Sequence, residues 1–302
     1  MTLPYAGRLL CLCLASFFLI NLAAGLLVRI FARLAIRMAE RMRSRTGARI
    51  LFGMRLAPAM LAICAVGVLC VPSYLAMEPE SLAESVGWTC LTAACLSLAA
   101  AGGAVVRGIR AAVRSRRYLA ANGSCRFALA GLFRPRLIVS QEVMRVLSPA
   151  ELAMALRHER AHWKSRDNLK RLFILLAPDG LLFASGLESL ERAWARLAEW
   201  AADDDAVAGD DGNSLTLASA LVRVARLGTA QAPPELLTAL TSCAQDLAAR
   251  VDRLLLPKTT RQPGRSAVWI AAALPLAVGL LAWPLRPATL SLAHEMLERL
   301  IR

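Results

Sequence analysis

Leu156-Arg157-His158-Glu159-Arg160-Ala161-His162 is the stretch of sequence that decides the fold of this chain. Its two histidines are four positions apart, so in a helix both imidazoles project from the same face, with Glu159 beside them. Side chains at this spacing can share a metal ion, and a His-Glu-x-x-His run is typical of zinc hydrolases. The competing interpretation is a solvated helix face, because basic residues surround the run. The chain has only three histidines, which makes a chance match a poor explanation.

The composition indicates a membrane protein. Hydrophobic residues make up 57% of the 302 residues and charged residues 19%, which is too apolar for an ordinary soluble domain and too charged for a chain buried wholly in lipid. The net charge of +14 suggests nucleic acid as a partner, but many arginines flank apolar runs, where membrane topology explains them better. We therefore expect no direct nucleic-acid binding. The eight cysteines form neither a disulfide framework nor a paired CxxC zinc site.

Four apolar runs are long enough to cross a bilayer. They cover about residues 9–28, 56–77, 89–106 and 267–285, and about 20 apolar residues span the hydrocarbon core as a helix. The first run also resembles a cleavable signal peptide, but its positive charges follow the run, so we expect an anchor. The runs predict a mainly α, polytopic membrane protein with four transmembrane helices.

Charged residues between the runs predict the orientation. The stretches 29–55 and 107–117 are rich in arginine, whereas the loop 78–88 carries only acidic charges. The positive-inside rule places the arginine-rich stretches in the cytoplasm and the acidic loop outside. Catalysis is then expected at the inner surface of a bacterial cytoplasmic membrane.

This topology divides the chain into four parts. Residues 1–106 form a membrane region with three spans and a basic cytoplasmic loop, and residues 107–266 form a cytoplasmic α+β zinc peptidase domain. The fourth span follows at 267–285, and residues 286–302 form a short extracytoplasmic tail.

The start of the helix that carries the histidines is clearly marked. Ser148 is followed by a proline and then, three residues after the serine, by Glu151. This pattern is a capping box with proline at the first helical position. We expect the helix to run without a break to about Ala177, where Pro178 ends it.

Two short strands are predicted before this helix. Residues 126–130 and 136–139 are strand-like runs close to an Asn-Gly turn signal at 122–123. The second strand is our candidate for an edge strand that holds a substrate backbone extended, and a strand that only packs on the helix is an equally good interpretation. The residues of this candidate are Leu137, Ile138 and Val139.

A hydrolytic zinc site takes three protein ligands, so a third is needed downstream. A predicted helix over residues 190–207 places Glu199 and Asp203 four positions apart on one face. We expect Glu199 to ligate the metal and Asp203 to accept a hydrogen bond from a ligand imidazole. Asp204 and Asp205 are rival ligands, and a solvated acidic helix end is the alternative. His294 is a weaker candidate, because the fourth span places it across the membrane.

Two further pairs of polar residues have no single interpretation. Asp167 and Asn168 follow the second histidine by about one turn, and they either support the site or cap an exposed face. Arg250 and Arg253 are within reach of a transition-state oxyanion, but arginines at this spacing usually cover a helix surface. We assign neither arginine a role from the sequence.

The sequence resembles the membrane zinc peptidases of the BlaR/MecR antibiotic sensor-transducers, which are of the gluzincin type. The resemblance is carried by residues 131–139 (GLFRPRLIV), 147–152 (LSPAEL), 158–162 (HERAH), 199–203 (EWAAD) and 249–255 (ARVDRLL). It covers most of the chain, and the histidine helix is its most specific part.

The resemblance implies a role for each site residue. His158, His162 and Glu199 would bind one Zn²⁺ per chain, and Glu159 would be the catalytic base. The implied function is cleavage of a cytoplasmic regulatory protein, such as a transcriptional repressor, or of the enzyme itself, in transmembrane signalling. Those sensors carry a penicillin-binding domain after the last span, whereas only residues 286–302 follow it here. Direct beta-lactam sensing through such a domain is therefore not expected.

Two other functions fit the same residues. The first is a signalling scaffold that binds zinc or a partner without hydrolysing anything. The second is a quality-control peptidase of the membrane, which would cleave a broad range of proteins.

Overall fold

The computed structural model describes residues 4–77, 86–120, 127–130, 136–179, 187–227, 238–239, 244–256 and 295–296. These residues are mainly helical, as the sequence predicts. The predicted fourth span, the tail, the Asn-Gly turn and His294 lie outside the described residues.

The elements follow one another in a simple order. The helices are α1 (Tyr5–Arg41), α2 (Ser44–Ala65), α3 (Val71–Met77), α4 (Trp88–Ala120), α5 (Gln141–Val146), α6 (Pro149–Ser165), α7 (Asp167–Leu176), α8 (Glu188–Val207), α9 (Asp211–Arg226) and α10 (Ala244–Leu255). The strands are β1 (Phe127–Ala130), β2 (Arg136–Val139) and β3 (Thr238–Ala239).

Within the described ranges, three helical segments are long and apolar enough to cross a membrane: Tyr5–Arg41, Ser44–Met77 and Trp88–Arg117. They contain the first three predicted spans. Each helical segment continues beyond its apolar run into a neighbouring arginine-rich stretch, 29–55 or 107–117. α2 and α3 are joined by a π-helical turn, Val66–Cys70. Pro72 follows this turn, and a proline without an N–H group accounts for the local change in hydrogen bonding.

α8 joins the membrane helices to the helices of the histidine region. Its first half, including Leu190 and Trp194, is buried in one core with residues of α1, α2 and α7. Its last turn, with Ala206 and Val207, is buried in a second core with residues of α5, α6, α9 and α10. The side chains of Glu199 and Asp203 lie on the part of α8 between these two cores.

The prediction of one uninterrupted helix from residue 149 to about 177 is wrong. The helix ends at Ser165, Arg166 adopts a left-handed conformation with φ of 55°, and α7 begins at Asp167. The carboxylate of Asp167 lies 2.8 Å from Nδ1 of His162. We attribute the break to this contact, because a side chain five positions on in a straight helix would point elsewhere.

The described strands form one antiparallel sheet in the order β2-β1-β3. Both predicted strands are present, at 127–130 and 136–139, and Phe127 pairs with Val139 in the register. β2 lies at an edge of the sheet as described, and β1 contacts α6.

Gly47 of α2 allows the corner between α1 and α2 to close. A Cβ atom there would lie 2.5 Å from the carbonyl oxygen of Ala39 and 3.1 Å from Cδ1 of Leu197. We expect Gly47→Ala to destabilise the protein by about 1–3 kcal/mol, because backbone must move to admit the methyl group. The measurement is the thermal unfolding midpoint in detergent.

Gly53→Ala in the same helix is the matched control. Nothing lies within 4 Å of a Cβ atom at Gly53, so alanine should be neutral or stabilising by up to about 1 kcal/mol through its helix propensity. Equal unfolding midpoints for the two variants would contradict the proposed close contact at the corner.

Candidate functional site

The histidine helix α6 begins with the predicted capping box. Ser148 accepts a hydrogen bond from the backbone N–H of Glu151 at 3.3 Å, and the Glu151 carboxylate accepts one from the backbone N–H of Ser148 at 2.8 Å. The same carboxylate accepts a hydrogen bond from the hydroxyl of Ser219 and lies 3.1 Å from Nε of Arg223, both on α9. The cap therefore fixes the start of α6 and also ties it to α9.

Three side chains from two helices converge at the centre of the site. The Nε2 atoms of His158 and His162 lie 3.1 Å apart. The carboxylate of Glu199 reaches both, with its oxygens 3.5 Å from Nε2 of His158 and 3.6 Å from Nε2 of His162. All three side chains are buried, and within the described part of the chain they are the one group of this kind that could hold a metal ion.

These distances fit zinc. A tetrahedral Zn²⁺ with bonds of about 2.0–2.2 Å keeps its ligand atoms roughly 3.3–3.5 Å apart. The two Nε2 atoms lie 3.1 Å apart, and Glu199 places Oε2 3.5 Å from one of them and Oε1 3.6 Å from the other, so each separation is close to this value. Two nitrogens and one carboxylate oxygen are also the donor set of hydrolytic zinc sites. The residues present therefore fit a zinc ion with one position left for water.

Each histidine is held from behind by a carboxylate. Nδ1 of His158 lies 2.9 Å from Asp203, and Nδ1 of His162 lies 2.8 Å from Asp167. A carboxylate at Nδ1 keeps the proton on that nitrogen, so the lone pair of Nε2 points to the centre of the site. Asp203 is where the sequence placed it, and Asp167 takes the supporting alternative that the sequence left open.

The rival acidic residues of α8 point away from this centre. Asp204 accepts hydrogen bonds from Ser44 at 3.0 Å and from Arg253 at 2.7 Å. Asp205 forms an ion pair with Arg45 at the corner of α2. Their partners are the membrane-proximal helices and α10, so these two carboxylates join elements of the fold.

Arg250 is the site residue to which the sequence assigned no role. It lies on α10 with 2% of its surface exposed. Its Nε and Nη2 donate hydrogen bonds of 2.8 and 2.7 Å to the two oxygens of Asp203, and its Nη1 lies 3.2 Å from Glu199. A buried cation here balances the carboxylates that support the site. The acidic residues of the predicted site indicate that a cation is needed nearby, but the sequence does not identify which of the 36 Lys and Arg residues supplies it.

The electrostatics of the site separate two kinds of carboxyl group. Burial raises the pKa of Asp203, but the Arg250 charge and the His158 hydrogen bond outweigh burial and bring that pKa to about 2. At Glu159 burial prevails over the nearby histidines and raises the pKa to about 7. Asp203 is thus ionised at neutral pH, whereas burial brings the pKa of Glu159 close to neutrality, where a carboxyl group can both accept and release a proton.

Glu159 faces the interior without a hydrogen-bond partner. The residue is 1% exposed, and neither of its carboxylate oxygens accepts a hydrogen bond from the residues that the structure describes. Leaving a buried carboxylate unsatisfied is costly, so such groups in native proteins call for an explanation. A water molecule at the fourth position of a zinc ion would supply the missing partner.

The candidate substrate strand is only partly exposed. Leu137 is 39% exposed, whereas Ile138 and Val139 are half-buried. Among the described strands β2 lies at the edge of the sheet, and none of them pairs with its outer side, where a further strand could add.

Asp203→Asn tests the support behind His158. We expect the affinity for zinc to fall about 10–100-fold, because the neutral amide loses the ion pair with Arg250 and holds the imidazole less firmly. The measurement is zinc transfer to a chelator of known affinity. Asp205→Asn, two positions away in an exposed ion pair, should bind zinc like the unmodified protein. Equal affinities for both variants would refute this role of Asp203.

Comparison with known proteins identifies one family. Residues 127–224 match the model of Peptidase family M48, whose members are zinc metallopeptidases. The match covers less than half of the chain and includes α6 and α8, but it does not single out the antibiotic sensor-transducers. Neither the curated proteins nor the solved structures contain a match.

Proposed function

We propose that the protein is a membrane-bound zinc endopeptidase that cleaves a regulatory protein at the cytoplasmic face of the membrane. His158, His162 and Glu199 are the proposed metal ligands, and Glu159 is the proposed catalytic base. The observation that carries the proposal is the convergence of three ligand atoms beside a buried carboxylate that accepts no hydrogen bond from any described residue. The match to a metallopeptidase family over the same helices supports it.

The reaction is peptide hydrolysis. When bound, zinc lowers the pKa of its water and polarises the scissile carbonyl. Glu159 accepts the proton of the attacking water and later transfers it to the leaving amine nitrogen. Asp203 and Asp167 hold the two imidazoles in place through the reaction, and Arg250 keeps Asp203 ionised. Because Glu159 and the three proposed ligands are buried, bulk water is kept away from the proton transfer, which strengthens these charge interactions.

The proposed substrate-binding element is β2. A peptide that pairs with the free edge of β2 would be extended by backbone hydrogen bonds, with specificity coming from alternate side chains. Val139 is half-buried against the core that contains α6, so the strand is linked to the histidine helix through packed side chains.

The nature of the substrate rests on topology and resemblance. The arginine-rich helix extensions favour a cytoplasmic position for the site, and the resemblance to the sensor-transducers favours a repressor-like protein, or the enzyme itself, as substrate. The family match makes a quality-control peptidase the second candidate, because that match is not specific to the sensors. A catalytically silent scaffold explains neither the buried Glu159 nor its missing partner.

Glu159→Gln separates hydrolysis from metal binding. We expect one zinc ion per chain to remain bound while cleavage is lost, because the amide cannot accept the water proton. The measurements are the zinc content of the purified protein and the cleavage of the protein itself or of other proteins in membranes that contain it. Glu188→Gln, an exposed glutamate in the first turn of α8, should retain both properties. Cleavage by the Glu159→Gln protein would refute its role as the base.

Comparing the proteomes of cells with the unmodified and the Glu159→Gln protein distinguishes the candidates. One protein that becomes uncut supports a signalling peptidase, whereas many support quality control. No difference at all supports the scaffold.

A further inference from the structure

The carbonyl groups at the C-terminal end of α7 need hydrogen-bond donors from outside the helix. The last carbonyl groups of a helix have no partner within the helix. Here one further hydrogen-bond donor is missing, because Pro178 has no N–H group to donate to the carbonyl of Ile174 four positions earlier. Ile174 and Ala177 are both buried, so their carbonyl oxygens need donors from elsewhere in the protein.

Each of the three apolar segments supplies a donor to one carbonyl at this end of α7, those of Ile174, Ala177 and Pro178. Asn21 of α1 donates to the carbonyl of Pro178 at 3.1 Å, Arg55 of α2 to that of Ile174 at 3.4 Å, and Arg107 of α4 to that of Ala177 at 3.4 Å. The two arginines also place positive charge at the negative end of the helix dipole. Among the described residues, the side chains that cap α7 therefore come from the helices that are apolar enough to cross the membrane.

The positions of these three donors relative to the apolar runs indicate how deep in the membrane the C-terminus of α7 lies. Arg55 immediately precedes the second apolar run, and Arg107 immediately follows the third. Asn21 lies within the first run, seven residues before Val28, which corresponds to about 10 Å along a helix. Asn21 is 2% exposed. A polar side chain inside an apolar run is expensive in lipid, and the carbonyl of Pro178 provides the partner that it needs.

The exposed side of α7 near its capped C-terminus is apolar. Phe173 is 49% exposed and Leu176 is 39% exposed. Leu176 lies against Gly108 of α4, where a Cβ atom would come within 2.8 Å of its Cδ2 atom. The exposed face is thus continuous with the apolar surface of α4, which at this level includes Ile109, 58% exposed.

We propose that the C-terminal end of α7 dips into the bilayer, with Phe173 and Leu176 in contact with lipid acyl chains. Its C-terminus is capped by Asn21 within the first apolar run and by Arg55 and Arg107 at the membrane boundary. Because α7 starts at Asp167 beside His162, the length of the helix holds the metal ligands no more than about 14 Å above Leu176. This lipid-contacting surface does not depend on whether the protein is a peptidase.

Photocrosslinking tests the lipid contact directly. The full chain carries p-benzoylphenylalanine in place of Phe173, or in place of Leu215 on α9, which is 63% exposed and serves as the control. Each protein is irradiated in nanodiscs of phosphatidylcholine and phosphatidylglycerol and analysed by mass spectrometry. Phospholipid adducts should form at position 173 and not at position 215. Crosslinks from 173 to a second protein chain, or equal lipid labelling at both positions, would overturn the proposal.

Hydrogen exchange tests the cap. Asn21→Leu should make amides near the end of α7 exchange about tenfold faster in nanodiscs, because the contact that holds Pro178 and the adjoining last turn of α7 against α1 is lost. Leu19→Ala, an exposed position in the same run, should leave their exchange unchanged. Unchanged protection of α7 in Asn21→Leu would refute the cap, and a variant that fails to fold leaves the crosslinking result as the deciding test. Neither measurement requires cleavage, so loss of the proposed peptidase activity would not affect them.

Discussion

The contact between α6 and α8 is the constraint on which the site depends. It brings His158 and His162 to within 3.6 Å of Glu199 in the protein interior. Two histidines and a glutamate are rarely buried together in an ordinary hydrophobic core. Burying these groups is unfavourable unless each has a partner of suitable charge. Asp203, Asp167 and Arg250 supply part of that compensation, and a divalent cation would supply the rest. The proposed metal ligands and the charged residues that support them therefore stabilise one another.

This arrangement explains why the elements around the site are so firmly tied to one another. The capping box of α6 also engages Ser219 of α9, and Arg253 of α10 donates to both Asp204 of α8 and Ser44 of α2. Each of these residues sits where two or three elements meet. A small displacement of α8 relative to α6 would be resisted by all of these contacts together, which keeps the ligand atoms at a spacing suited to metal.

The sequence predicted what local patterns specify. A four-residue spacing places His158 and His162 on one helix face, and the same spacing links Glu199 to Asp203, so both helices and their inward faces could be predicted before any tertiary contact was known. The break at Arg166 could not be predicted, because it depends on a contact between Asp167 and an imidazole on the preceding helix. Arg250 was missed for a related reason: its burial depends on how α10 packs against α9 and reaches the carboxylates of α8, and nothing in its own neighbourhood distinguishes it from a surface arginine.

The double burial of α8 has a practical consequence for anyone wishing to produce the catalytic part as a water-soluble fragment. Cutting the chain before β1 would remove α1 and α2, and with them the apolar surroundings of Leu190, Trp194 and Leu197. Those side chains would be exposed to solvent on the very helix that carries Glu199. Such a fragment is expected to aggregate or to lose its metal unless the helical hairpin is retained or the exposed face of α8 is redesigned with polar residues.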